Sequence, residues 1–307
     1  MTRPSVSPLT LGTVQFGIPY GIVNDSGCPD DAEVIRILET AEQSRIAYFD
    51  TAAAYGTAEE RLGRLLPDER RARWGKITKL PPLEDVARAG DARVLNETVT
   101  ELVTRSRERL RAEFIDVVMF HRADDVFRLG GAALDALQAE VDCNRVGAMG
   151  VSVYSPDEAV QCLTDPRIRH VQIPLNILDR RWMEPPFSRM VAEQPNIVVH
   201  VRSAFLQGLL LSPANRWPSW VEEKKELEYA IDHYVRVLGC RNRIDLCLTF
   251  TQSVPWVTTT VIGVDTQKQL EMIITSLSGG KFNADQMAML SNLSAMAAPR
   301  LLNPALW

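Results

Sequence analysis

The sequence predicts an α/β fold, a closed (β/α)8 TIM barrel with a C-terminal extension. Short apolar runs alternate with longer amphipathic stretches, and the unit recurs along the whole chain. Strict alternation of strand and helix implies a parallel sheet with right-handed crossovers. The 307 residues suit eight such units closed into a barrel better than an open doubly wound sheet. No GxGxxG follows the first apolar run, which weakens the Rossmann alternative.

The first strand lies in LTLGTVQFG, where Gly12 and Gly17 mark a tight turn. DDAEVIRILETAEQSR follows as an amphipathic helix, with Val34, Ile37, Leu38 and Ala41 at i, i+3, i+4 and i+7 and Asp30 or Asp31 as its cap. AYFDTA is a strand and EERLGRLL its helix; WGKITKL is a strand, followed by a long helix from about Arg93 to Leu110. IDVVMFH, VGAMGVSV and HVQIPLN are strands followed by GAALDALQAEV, PDEAVQCL and the Pro-interrupted RWMEPPFSRMVAEQ. NIVVHVRSA leads through a loop to helical sequence from Glu222 to Leu238, and VTTTVIGV to the helix TQKQLEMIITSL. The helix near NADQMAMLSNLSAM and the tail PRLLNPALW lie beyond the eighth unit, where a tail can pack over a barrel mouth. No linker or low-complexity stretch divides the chain, so residues 1–307 are expected to form one domain.

Hydrophobic residues make up 46%, enough for a sizeable core, and charged residues 24%. The net charge of −5 carries no electrostatic footprint for nucleic acid or an acidic membrane surface. Five widely spaced cysteines without a CxxC pair argue against a metal site or a disulfide framework and point to a reducing cytoplasm. Neither a signal peptide nor a transmembrane helix is expected, because no unbroken apolar segment is long enough.

Active sites of such barrels sit at the carboxyl ends of the strands. Reading polar residues there gives Asp50, Lys79, His121 and Ser152 after strands 2 to 5, Gln172 and Asn176 on and after strand 6, and Arg202 and Ser203 ending strand 7. Tyr55 stands in the loop after Asp50. Singly, each has an ordinary reading: a capping Asp, a surface Tyr, a solvated Lys, a buried His. Together, a carboxylate–ammonium pair beside a phenol is a way to lower the phenol pKa from about 10, which suits a general acid.

FDTAAAYGTAEERLG resembles the aldo-keto reductase signature, in which an Asp, a following Tyr and a Glu-x-x-Leu-Gly helix start occur together. KITKL, DVVMFHRADD, GVSVYSPDEA, VQIPLN and VIGVDTQKQLE match further family segments in order, and VRSAFLQGLLL resembles a bacterial branch. The resemblance implies a nicotinamide cofactor, NADPH or NADH, and a small-molecule carbonyl substrate. It assigns proton donation to Tyr55, lowering of the Tyr55 pKa to Lys79, pairing with Lys79 to Asp50, and orientation of the carbonyl to His121. It places Ser152 and Gln172 on the nicotinamide carboxamide, and Ser203, Phe205 and Gln207 over the pyrophosphate. Arg202 stands where many relatives stack an aromatic on the nicotinamide, and Thr13, Gly263, Lys268 and Gln269 complete the expected cofactor contacts. The chain departs from NADPH-selecting relatives after strand 8, where Lys268 is the sole cation, Asp265 would repel a phosphate, and Met272 or Ile273 replaces an adenine-side Asn. A second reading keeps the fold and the four polar residues but makes the protein a nicotinamide-binding regulatory sensor. The loops and the tail, with Tyr20, Arg122, Trp182, Trp217, Trp220 and Trp307, would decide the substrate.

Overall fold

Strands buried on both faces read as continuous apolar runs, because helices cover one side and the barrel interior the other. The computed structural model, which describes residues 7–88, 90–277, 280–303 and 307, follows this rule. Its strands are β1 (Leu9–Gly12), β2 (Tyr48–Asp50), β3 (Gly75–Leu80), β4 (Ile115–Phe120), β5 (Val146–Ser152), β6 (Ile168–Pro174), β7 (Val198–Arg202) and β8 (Thr259–Gly263). They pair in parallel in sequence order, and β8 returns to β1, closing the barrel. Every residue of β3 and β4 is buried. Side chains alternate along each strand. Tyr48, Ile77, Val117 and Met119 fill the interior as an apolar cluster of their own, while the larger core lies between strands and helices.

The helices form where periodicity and caps agree. Helix α1 (Asp31–Gln43) is capped by Asp30, whose side chain accepts from the Glu33 N–H, and buries Val34, Ile37, Leu38 and Ala41. Helices α2 (Ala58–Leu65), α3 (Ala92–Arg109), α4 (Ala132–Asp142) and α5 (Pro156–Cys162) follow β2 to β5. The Pro-interrupted segment divides into a 3-10 turn at Arg181–Met183 and α6 (Phe187–Glu193).

Between β7 and β8 the sequence reading finds one helix, but the chain forms two, α7 (Lys224–Val237) and α8 (Arg243–Ser253). Helix α8 buries a continuous run from Asp245 to Thr251. A helix covered on most sides has no polar stripe, so its period leaves no mark on the hydrophobic pattern. Helix α9 (Gln267–Ser276) closes the eighth unit, and α10 (Ala284–Met289) and α11 (Ser291–Ala295) form the extension. In the tail, residues 304–306 lie outside the described part, as do residues 1–6 at the start; Trp307 donates from Nε1 to the Arg300 carbonyl at 3.0 Å. Among the described residues, no helix is long and apolar enough to cross a membrane.

The Glu-x-x-Leu-Gly part of the signature has a packing explanation. Glu59 is buried, accepts from the Thr78 hydroxyl at 2.6 Å and faces Arg109 at 3.5 Å, joining α2 to β3 and α3. A Cβ on Gly63 would stand 2.1 Å from the Arg109 carbonyl oxygen, so the α2–α3 contact requires glycine. Gly63→Ala should therefore cost about 1–3 kcal/mol, the usual range for overpacking, read as a lower urea midpoint with an unchanged slope.

Candidate active site

The floor of the site is a buried ion pair. Lys79 Nζ, on the inner face of β3, lies 2.5 Å from Asp50 Oδ1 at the end of β2, and the two side chains are 1% and 4% exposed. Lys79 also donates to the Thr51 carbonyl at 3.1 Å. The second carboxylate oxygen of Asp50 accepts from Gln172 Nε2 at 2.8 Å, so one carboxylate ties the ends of β2, β3 and β6. Burial lowers the Lys79 pKa and the Asp50 charge opposes that shift. The main chain of Asp50 is held as well, since its carbonyl accepts from both the N–H and the hydroxyl of Thr13, each at 3.0 Å.

Tyr55 leans over this pair from the β2–α2 loop. Lys79 Nζ is 5.3 Å from the Tyr55 ring centroid. The His121 ring, just past β4, meets Tyr55 edge to face with centroids 5.9 Å apart at 79°. The four side chains named from the sequence thus share one mouth. Burial raises the Tyr55 pKa well above the ordinary phenol range; the Asp50 carboxylate raises it further, and the cation that opposes the shift is Arg202. Lys79, expected to lower it, faces the ring and is neutralised by Asp50. Burial, aided by Lys79 and Arg202, pushes the His121 imidazole down to about 4, so it is neutral at physiological pH. Its Nδ1 is buried without a hydrogen-bond partner among the described residues.

A cavity of ≈ 590 Å³ opens from Tyr55, Asp50 and Gln172, within the range of about 300–1,000 Å³ typical of cofactor pockets. Of the residues named from the sequence as cofactor contacts, Thr13, Arg202, Ser203, Phe205, Gln207, Gly263 and Gln269 line it, as does Gln172. Ser152 is buried in β5 outside this lining, and Lys268 is exposed beyond it. Asn176 is engaged in the main chain: its amide donates to the Ser203 carbonyl at 3.2 Å and accepts from the Leu178 and Asp179 N–H groups. The 203–208 loop is built from left-handed residues, with φ of 61° at Ser203, 49° at Leu206, 54° at Gln207 and 88° at Gly208. Further along, the start of α8 reaches the cavity through Asn242, Arg243 and Ile244.

Several residues in or near the site escaped the sequence reading. Gln15 borders the cavity with a buried Oε1 that has no partner among the described residues. Tyr154 carries the Arg202 guanidinium over its ring at 4.4 Å; Arg202 also donates to the Val153 carbonyl at 3.1 Å. His200 of β7 is fully buried, with its Nε2 2.9 Å from His170 Nδ1. None of these has a spacing signal; only the inward alternation of known barrel strands could have named His170 and His200.

Polar dinucleotide contacts fit this lining. The amides of Gln15 and Gln172, the turn at Ser203 and the start of α8 all present polar groups to the cavity. A closed eight-stranded barrel with Tyr, Lys, Asp and His at the carboxyl ends of its strands defines the class of protein. The sequence profile of the aldo/keto reductase family matches residues 8–295, and the chain belongs to that family of carbonyl oxidoreductases, which generally use NAD(P)H. Among solved structures, the holo form of an aldo-keto reductase from Bacillus halodurans is similar, with a TM-score of 0.75 at 19% identity over 97% of this chain and 96% of its own. A Pseudomonas aeruginosa chain assigned to the same reductases gives a TM-score of 0.65 at 23% identity, covering 88% of this chain and 89% of its own. Among curated proteins, nothing matches this sequence.

Burial also pushes the His200 pKa down, to about 3. As pH falls below the ordinary value of 6.5, the unfolded chain protonates these imidazoles before the folded chain does. The stability contributed by neutral His121 and His200 is therefore present above 6.5 and lost toward pH 4 and 3. The melting temperature should fall through this window, and His200→Gln should flatten the upper part of the fall; an unchanged pH slope in the variant would reject the assignment.

Proposed function

We propose that the protein is a nicotinamide-dependent carbonyl reductase with Tyr55 as its general acid. The observation that carries this reading is the buried Lys79–Asp50 pair at 2.5 Å, set beneath Tyr55, whose ring meets His121, at a cavity that Asp50 and Tyr55 line. A bound dihydronicotinamide supplies the hydride, and the protein supplies position and charge.

Neutral His121 can donate a hydrogen bond to a substrate carbonyl without competing for the proton. The raised pKa keeps Tyr55 protonated at neutral pH. Donation remains downhill, since the alkoxide formed on reduction is a stronger base than a phenolate. Arg202, on the cavity wall, then stabilises the phenolate. Asp50 fixes Lys79 and holds Gln172 through Nε2, which leaves the Gln172 Oε1 as the group that would accept from a nicotinamide carboxamide. Ser203, Phe205 and Gln207, with the start of α8, would hold the pyrophosphate.

Tyr55→Phe should lower kcat by about 10²–10⁴, the range for loss of a general acid, while cofactor affinity stays within error. A panel of aldehydes and aldoses followed by cofactor oxidation is the assay; full turnover in the variant would remove Tyr55 from the role. Tight cofactor binding by the wild type with no turnover on any substrate would favour the sensor reading. Because the Tyr55 phenol is shifted upward, reduction should be flat between neutral and mildly alkaline pH, and alcohol oxidation, which needs the phenolate, should climb throughout.

Tyr154 covers one face of the Arg202 guanidinium, and Arg202 borders the cavity. A guanidinium plane can stack on a neutral ring, and its charge disfavours the positive oxidised ring. Arg202→Tyr should therefore improve oxidised over reduced cofactor affinity by about fivefold, the ~1 kcal/mol two like charges exchange at about 4 Å in water. Equilibrium titration with both redox forms checks this, and an unchanged ratio would sink it.

A further inference from the structure

We infer that this chain selects NADH and rejects NADPH, through a closed helix start and an unneutralised carboxylate at the end of the cavity away from Tyr55. The inference rests on the dinucleotide reading above.

That end is bounded by Gly263, Asp265, Gln269, Met272 and Ile273, around the start of α9. A phosphate monoester at a helix start needs free backbone N–H groups or a cation. Here the donors are engaged. The Asp265 and Thr266 N–H groups donate to Gln269 Oε1 at 2.7 and 3.3 Å. The Gln267 N–H donates to Glu33 Oε1 of α1 at 2.5 Å, and the Gln269 N–H to Thr266 Oγ1 at 3.2 Å. From Asp265 to Gln269, only the Lys268 N–H has no bond among these. The capping box and Glu33 thus occupy the place an added phosphate would take.

Charge points the same way. Arg36 pairs with Glu33, and the Gln267 N–H and Arg36 together hold its carboxyl below the usual carboxylate range. The Glu33–Arg36 pair is therefore neutral as a unit and closes the helix start without attracting an anion. Asp265 lines the cavity, where burial raises its pKa and its carboxylate accepts only from neutral amides among the described contacts, Asn24 Nδ2 at 3.1 Å from Oδ1 and the Gln269 side chain. Its negative charge is uncompensated and would lie against a dianionic phosphate. The same carboxylate can accept from a ribose hydroxyl, a contact NADH offers. Lys268 is exposed and outside the cavity lining.

The test is equilibrium titration of the full chain with NADH and with NADPH, without substrate, followed by protein fluorescence. NADH should bind at least about tenfold more tightly, equivalent to about 1.4 kcal/mol. Asp265→Asn should narrow that ratio by weakening NADH and relieving repulsion of NADPH. Glu33→Gln, which loosens the grip on the Gln267 N–H, should narrow it from the NADPH side alone and serves if the first variant fails to fold. Raising the salt concentration should narrow the wild-type ratio, because repulsion is screened, a response that steric exclusion would not give. Equal or tighter binding of NADPH by the wild type overturns the inference while leaving the dinucleotide reading intact, as does a ratio that neither variant moves. If neither nucleotide binds, the dinucleotide reading falls and this selection falls with it.

Discussion

A lysine ammonium inside a barrel is tolerable only with a partner, since an unpaired buried charge costs several kcal/mol. Lys79 has that partner in Asp50, and much of the mouth is arranged around the pair. Asp50 spans to Gln172 on β6, and its carbonyl anchors Thr13 after β1. Three separate parts of the barrel rim are thereby held by one residue. Tyr55 and His121 need only lean on this frame, so their placement follows from closure of the barrel and not from long side-chain networks of their own.

The signature around Asp50 combines two kinds of residue that a motif does not distinguish. Asp50 and Tyr55 reach the cavity. Glu59 and Gly63 face the other way and hold α2 against β3 and α3. The spacing recurs as a unit because the helix that follows Tyr55 must dock closely if the loop carrying the phenol is to stay over Lys79. The chemistry proposed for the mouth depends on this packing without touching it.

The barrel was legible because burial on both faces writes long apolar strands, and amphipathic helices with polar caps separate them; the Asp30 cap and the stripe from Val34 to Ala41 lie where the pattern puts them. Helix α8 was not legible, because Asp245 to Thr251 are all covered and leave no stripe. The polar rim was readable from strand ends alone, which is how Asp50, Lys79, His121, Gln172 and Arg202 were found. Contacts set by loop shape were not. Gln15 and Tyr154 come from turns with no periodicity, and the Gln269 side chain, besides lining the cavity, closes the cap of α9, a second role that no spacing contains. The effect of Lys79 on Tyr55 also depended on distance and orientation, which no spacing contains.

The turn from Ser203 to Gly208 places three non-glycine residues in the left-handed region within six positions. Such conformations are uphill locally and persist only when the surroundings over-determine them. A segment held this way has little freedom left to lose when a large anion arrives. Under the proposed reading, binding then orders the ligand far more than the protein, which lowers the entropic penalty of association. A short rigid turn can in this way do the work that other folds assign to a long mobile flap.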